Sequence, residues 1–157
     1  MPEPLTYADS IVVAAPRGIV YSAISDVTRT GEWSPVCREC WWDEGDGPWV
    51  GSFFTGRNVT PTRTWETRCE VIVADVDAAF GWSVAGGNVL WTYRLMDVPG
   101  GTELTESWIF TEKGQTFFHE RFGDAAADEI AAREAAAREG IPATLAAIKK
   151  AIEGTPA

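Results

Sequence analysis

The chain has 157 residues, of which 23% are charged, and it carries a formal net charge of −10 with a pI near 4.5. This length fits one domain, spanning residues 1–157, with a core large enough to fold without disulfide bonds. The negative charge would repel a phosphate backbone and an anionic membrane surface, so we expect no nucleic-acid partner.

The N-terminal residues lack both the basic segment and the apolar segment that begin a secretory signal peptide. The longest aliphatic run, Val71 to Ala74, is far too short to cross a bilayer. Three cysteines, an odd number, do not fit a secreted disulfide framework. We therefore expect no membrane insertion and a cytoplasmic location.

The first predicted element is a strand over residues 7–14, which is rich in β-branched residues. A helix that starts near Pro16 and a short helical piece from Asp26 to Trp33 follow it. The apolar residues then repeat with a period of two, which predicts six antiparallel strands separated by turn residues. These strands span residues 36–44, 50–59, 63–75, 79–85, 88–98 and 101–111.

The last third of the chain is predicted to be helical. Residues 124–139 are half alanine, with Asp124 as the helix N-cap. Gly140 is predicted to end this helix and Pro142 to start another with a single apolar stripe. The predicted fold class is therefore α+β: a curved seven-stranded antiparallel sheet around a long C-terminal helix, with two short helices between strands 1 and 2.

One face of this sheet is predicted to be strongly aromatic. Among eight tryptophans, four lie in separate strands and share their alternation parity with other apolar residues: Trp65, Trp82, Trp91 and Trp108. A register that pairs Val98 with Gly101 keeps the aromatic faces of the last two strands on one side. The same register places Glu106 next to Tyr93.

The aromatic face is either a plain core or the wall of a pocket for a flat apolar ligand. Two polar residues interrupt it, Asn58 and Glu106. A buried carboxylate is costly unless it is hydrogen-bonded, paired or protonated, so Glu106 is either satisfied by Tyr93 or part of a site. The candidate ligand-binding residues are Phe54, Asn58, Trp65, Trp82, Trp91, Tyr93, Glu106 and Trp108.

No complete catalytic motif is present. The sequence lacks a nucleophile elbow, a phosphate-binding loop, a dinucleotide fingerprint and a zinc-protease motif, so we expect no cofactor and no metal. Catalytic residues stay unassigned, with Glu106, His119 and Tyr93 as the candidates for proton transfer. His119 lies in the aromatic segment 117–123, which is either a packed turn or a flap over a cavity.

Cys37 and Cys40 have the spacing of a CxxC motif. The two tryptophans that follow favour a strand, whereas a redox CxxC usually opens a helix. A structural zinc site would need two further ligands. We therefore expect two free thiols, with a redox or metal role as the alternative.

Several short motifs, taken in their order along the chain, resemble those of a known superfamily. They occupy residues 11–16, 20–26, 32–35, 50–58, 80–82, 91–93, 100–107 and 143–150. Together they are similar to the START/birch-pollen-allergen (SRPBCC) superfamily and, within it, to the bacterial polyketide cyclase/dehydrase-like group. The resemblance implies a helix-grip fold with a cavity between the sheet and the last helix. The stretch 124–139 departs from the shortest members and implies a helical piece that narrows or caps the cavity.

Members of this superfamily bind lipids, sterols, quinones or polyketides, and some catalyse cyclisation or dehydration, so the fold does not fix one activity. The leading hypothesis is binding of a small hydrophobic ligand, whether aromatic, polyketide, lipid or isoprenoid. The alternatives are a polyketide cyclase or dehydratase that uses the same cavity, and a protein-interaction module with a closed aromatic core. The chain is expected to be a monomer or a homodimer.

Overall fold

The computed structural model describes residues 3–44 and 47–154. Its strands in chain order are β1 (Leu5–Val13), β2 (Cys37–Glu44), β3 (Phe53–Thr60), β4 (Arg63–Asp75), β5 (Ala79–Val84), β6 (Val89–Val98) and β7 (Gly101–Phe110). In this part of the chain they form one antiparallel sheet with the order β1-β7-β6-β5-β4-β3-β2. The predicted succession of seven strands is confirmed, although β3 begins at Phe53 rather than at residue 50.

The helical elements lie between β1 and β2, as predicted, and after β7, where the first of the helices was not predicted. Helix α1 (Arg17–Ile24) and a 3-10 helix (Val27–Glu32) lie between β1 and β2. Helix α2 (Glu112–Phe122), a short 3-10 turn (Gly123–Ala125) and the 28-residue helix α3 (Ala126–Glu153) follow β7. Helix α3 packs against β1 and β7, so the core lies between one face of the sheet and this helix.

The predicted break in the C-terminal helix is wrong, because α3 continues through Gly140 and Pro142. A proline inside a helix removes one backbone hydrogen bond and costs about 3 kcal/mol. The apolar stripe nevertheless runs on past it, through Ile141, Leu145 and Ile148, each at most 1% exposed. Burial of each such side chain contributes about 1.5–3 kcal/mol, so packing on the sheet outweighs the lost bond.

The start of the C-terminal helical region also differs from the prediction. Segment 117–123 is not a turn, because most of it belongs to α2. Thr111 caps α2, since its hydroxyl accepts a hydrogen bond from the Gly114 N–H. Asp124 does not cap α3: it lies in the 3-10 turn, and the chain enters α3 through helical backbone at Ala125, where no side chain caps the helix.

The β6–β7 hairpin has the predicted register, with Val98 opposite Gly101 and Tyr93 opposite Glu106. Gly101 has a φ of 148°, and a Cβ at this position would collide with the Val13 carbonyl oxygen. The position therefore requires glycine, because β1 approaches the backbone of β7 closely there. This close contact joins the first strand of the chain to the last.

Across residues 3–44 and 47–154, no helix combines the length and the apolar character that crossing a membrane requires.

We expect Ile148→Ala to lower the free energy of unfolding by about 2–5 kcal/mol, because the Ile148 side chain is fully buried between α3 and the sheet. Ile19→Ala is the matched control, since Ile19 is also helical but 56% exposed, and it should change stability by about 0.5 kcal/mol or less. Urea denaturation of both variants measures the difference. Equal losses would contradict the assignment of this stripe to the core.

Candidate functional site

A cavity of about 370 Å³ lies between the aromatic face of the sheet and the helices α2 and α3. Strands β2 to β7 contribute to its wall, together with the 3-10 helix after α1 and the turn that follows it. All eight residues predicted to bind a ligand line this one cavity: Phe54, Asn58, Trp65, Trp82, Trp91, Tyr93, Glu106 and Trp108. The alternation of side chains along the strands therefore brings the predicted set together.

The flattest part of the wall is a pair of indole rings on neighbouring strands. Trp82 on β5 lies directly opposite Trp91 on β6, and their rings stack with centroids 6.4 Å apart and an interplanar angle of 18°. Phe54 meets the Trp82 ring edge-on at 5.8 Å. The three rings hold one another in place, so this part of the wall is a preformed aromatic surface rather than a set of independent side chains.

In the described part of the chain, Glu106 is the one carboxyl group that lines this aromatic wall. It is 5% exposed, it lies opposite Tyr93, and its Oε1 atom has no hydrogen-bond partner among the described residues. Burial raises the pKa of Glu106 to about 8, although a hydrogen bond with Tyr93 partly opposes this rise. The carboxyl group is therefore mostly protonated at pH 7 and is able to donate a hydrogen bond into the cavity.

Tyr93 and Asn58 are the other two polar candidates. Burial, followed by the neighbouring Glu106 charge, raises the pKa of Tyr93 well above its usual value, so its hydroxyl stays a neutral donor. The Asn58 amide donates to the Trp65 carbonyl oxygen at 3.4 Å and to the Thr67 hydroxyl at 3.2 Å. Both contacts tie Asn58 to β4 and fix its orientation at the cavity wall.

Two of the wall residues that were not among the predicted ligand-binding set are Arg133 and Phe118. The Arg133 guanidinium lies 5.3 Å from the Phe118 ring centroid and 5.9 Å from that of Trp65, and its half-buried position lowers its pKa. A signal for Arg133 was available, because Ile130 and Ala137 lie three residues before and four residues after it on the buried side of α3. Phe118 was hidden because α2 itself was not predicted.

His119 is not brought to the cavity. It is exposed on α2, and the wall contains its neighbour Phe118 instead. A wider surface groove of about 680 Å³ runs along α2, but it contains none of the predicted residues. The groove is lined by Ala85, Asn88, Glu112, Lys113, Thr116, Phe117 and Glu120. The structure therefore joins Glu106 and Tyr93 in one place and separates His119 from them.

The CxxC residues lie on β2 as free thiols, and both reach the cavity. Their Sγ atoms lie 3.2 Å apart. Cys69 on β4 lines the same cavity. Within the part of the chain that the structure describes, no cluster of three or more His, Cys, Asp or Glu side chains has the arrangement of a metal site.

The architecture, a curved antiparallel sheet around a long C-terminal helix with a cavity between them, is the helix-grip fold. The family model described as "Polyketide cyclase / dehydrase and lipid transport" matches residues 4–153. The chain belongs to this family, and the predicted resemblance is confirmed. A comparison with curated proteins finds no match.

Solved structures agree with this assignment. The chain is 61% identical to the polyketide cyclase-like protein Cgl2372 from Corynebacterium glutamicum, over 98% of this chain and 94% of that one, with a TM-score of 0.72. Two more distant structures share the fold. The di-domain ARO/CYC StfQ from the steffimycin biosynthetic pathway is 15% identical, with 96% and 51% coverage and a TM-score of 0.73. Ara h 8.0201 is 18% identical, with 96% and 98% coverage and a TM-score of 0.66.

The raised pKa of Glu106 predicts a pH dependence of stability. Between its usual value of 4.5 and about 8, the folded protein binds one proton more than the unfolded chain, so this group's contribution to stability falls as the pH rises. Relative to Glu106→Gln, the free energy of unfolding of the wild type should fall by up to about 1.4 kcal/mol per pH unit between about pH 5 and pH 8. Urea denaturation of both proteins across this range provides the test. A difference in the free energy of unfolding between the two proteins that stays constant with pH would contradict this prediction.

Proposed function

We propose that the chain binds a compact, planar, hydrophobic molecule in the cavity between the sheet and α3. The observation that carries this proposal is the stacked pair of Trp82 and Trp91, which forms part of the wall of a cavity of about 370 Å³. Flat aromatic walls contact a flat ligand over most of its area. Family membership supports the same conclusion, because the family's description includes both polyketide chemistry and lipid transport.

The size of the cavity narrows the ligand class. Ligand pockets span about 300–1,000 Å³, so this cavity lies near the lower end of that range. It suits a few fused rings better than a long acyl chain. Burying about 300 Å² of apolar ligand surface would contribute roughly 7 kcal/mol before the entropic costs of binding are subtracted.

Glu106 gives the proposed ligand an orientation. Its protonated carboxyl group has one oxygen, Oε1, without a partner among the described residues, and an unsatisfied buried polar atom is costly. A ligand that places a carbonyl or phenolic oxygen beside Glu106 would remove this cost. Aromatic polyketides carry such oxygens on flat rings, and a structural relative, StfQ, is an ARO/CYC protein of a biosynthetic pathway.

A protein-interaction module with a closed aromatic core would have had no cavity. The described residues instead enclose one, and the aromatic side chains form its wall. We therefore favour a small molecule over a protein partner for this face of the sheet.

Titration with 1-naphthol or a hydroxylated anthraquinone should quench tryptophan fluorescence and raise the melting temperature. Trp91→Leu should weaken binding about tenfold, which corresponds to roughly 1.4 kcal/mol, because it removes half of the stacked pair. Trp49→Leu is the matched control, since Trp49 is 54% exposed and does not line the cavity.

Two results would contradict the binding proposal. One is the absence of quenching and of thermal stabilisation across a series of planar probes. The other is an equal loss of affinity in the Trp49 and Trp91 variants, which would place the probe on the surface rather than in the cavity.

The protonated carboxyl group of Glu106 also supports a second candidate, a cyclase or dehydratase that uses the same cavity. A neutral acid beside a bound β-hydroxyketone would protonate the departing hydroxyl group, which leaves as water. The α-carbon gives up its proton to solvent water as the conjugated enone forms, and a proton from solvent restores the Glu106 carboxylic acid. Positioned acids contribute about 10²–10⁴-fold to such steps.

An aryl β-hydroxyketone is a suitable probe, because the absorbance of the enone product reports turnover. Glu106→Gln should lower turnover about 100-fold or more, because the amide is not an acid, and leave quenching by 1-naphthol intact, because the amide still donates a hydrogen bond to the phenolic oxygen. Turnover that survives this substitution would remove Glu106 from the reaction. No turnover in the wild type would leave the binding function as the better account.

A further inference from the structure

The two cysteines of the CxxC motif face the same side of β2 because the strand contains a bulge. Residues three apart in a regular strand point to opposite faces. Here Cys37 pairs with Asn58 and Cys40 pairs with Gly56, so β2 advances three residues while β3 advances two, and Arg38 is the residue at the irregularity. Both Sγ atoms consequently point into the cavity and lie 3.2 Å apart.

Gly56 makes room for this thiol pair. A Cβ at Gly56 would lie 3.1 Å from the Cys37 Sγ and 3.2 Å from the Cys40 Sγ, closer than ordinary van der Waals contact. The missing side chain therefore lets both sulfur atoms occupy the same space above β3. The bulge at Arg38 on β2 and the glycine at position 56 on β3 together bring the two sulfur atoms into contact. Neither Arg38 nor Gly56 takes part in the reaction itself.

The three thiols of the cavity wall are not chemically equivalent. A hydrogen bond from Cys40 lowers the pKa of Cys37, which is also the less buried of the two. The same hydrogen bond and burial raise the pKa of Cys40. Burial raises the pKa of Cys69 to about 12. Cys37 is therefore the attacking sulfur of the pair, Cys40 is positioned to resolve the intermediate, and Cys69 is an unreactive neighbour.

We propose that Cys37 and Cys40 form an oxidisable dithiol in the cavity wall, a modification site for small peroxides that closes to a Cys37–Cys40 disulfide. The site does not depend on the proposed ligand, because the bulge and Gly56 create it within the protein itself.

The chemistry balances with hydrogen peroxide as the oxidant. The Cys37 thiolate attacks one peroxide oxygen, the O–O bond breaks, and the released hydroxide takes up a proton to leave as water, so Cys37 becomes a sulfenic acid. The Cys40 sulfur then attacks the Cys37 Sγ and gives up its proton, and the sulfenic hydroxyl leaves as a second water. Two thiols are oxidised to one disulfide, and one peroxide is reduced to two waters. The Sγ atoms need to move from 3.2 Å to about 2.05 Å apart.

The test treats the reduced full-length chain with hydrogen peroxide, then denatures it, alkylates it with iodoacetamide and weighs it. We expect the number of alkylated thiols to fall from three to one, with a mass loss of about 2 Da before alkylation, since two hydrogens leave. Peptide mapping should find a Cys37–Cys40 disulfide and an alkylated Cys69. Cys69→Ser should form the same disulfide, and Cys40→Ser should stop at a Cys37 sulfenic acid that dimedone traps.

A variant that keeps all three thiols tests the role of geometry. Gly56→Ala should slow disulfide formation about tenfold, because the new methyl group pushes at least one sulfur away from the other. Gly18→Ala is the matched control, since its Cβ would meet only the Asp77 carboxylate at 3.8 Å. Circular dichroism confirms that both variants fold. Three alkylatable thiols after peroxide treatment, oxidation at Cys69, or a disulfide between two chains would each overturn the proposal.

Discussion

The register of the β6–β7 hairpin is the constraint on which the site depends. It sets Tyr93 opposite Glu106 and Trp91 opposite Trp108, all on the face that α3 covers. Because side chains alternate along a strand, a slip of one residue would turn one strand's aromatic set to the other face. The two-residue turn of Pro99 and Gly100 fixes this register, because the length of a hairpin loop sets which residues of its strands pair. The same pairing buries the hydrophobic core and brings a carboxyl group to the cavity.

Between Arg133 and Ile141, the helix opposite the aromatic wall presents only small side chains to the cavity, which helps to keep the cavity open. Ala136, Ala137 and Gly140 line the cavity from α3, while Leu145 and Ile148, further along the helix, fill the rest of the core. Leucines at the small positions would fill much of the space and stabilise the fold, since empty volume costs about 24 cal/mol per Å³. From the sequence, the alanine content of residues 124–139 indicated only that this stretch is helical. Its position indicates that it also keeps room for a ligand, at some cost in stability.

The parts of the structure that follow from local pattern were predictable, and those that follow from tertiary contact were not. Alternation brings all eight candidate ligand-binding residues to the wall of one cavity, because the period of a strand fixes the face of every side chain. Pro142 misled the helix prediction, because local propensity is outweighed by the apolar stripe that packs on the sheet. The contact between the two thiols could not be predicted from the sequence either, because strand alternation places Cys37 and Cys40 on opposite faces of β2. Only the bulge at Arg38 brings both side chains to the same face.

The two reactive features of the wall are separated by apolar surface. Glu106 lies on β7 and the dithiol on β2, with four strands of the sheet between them. Burial, and not a charge on either cysteine, is the cause of the raised pKa of Glu106. Neither cysteine of the pair shifts the pKa of Glu106, and Glu106 does not shift theirs, so protonation of Glu106 and the proposed oxidation of the thiols do not depend on each other electrostatically. A ligand that spans the stacked indoles would meet a proton donor on one wall and a pair of soft sulfur atoms on the other.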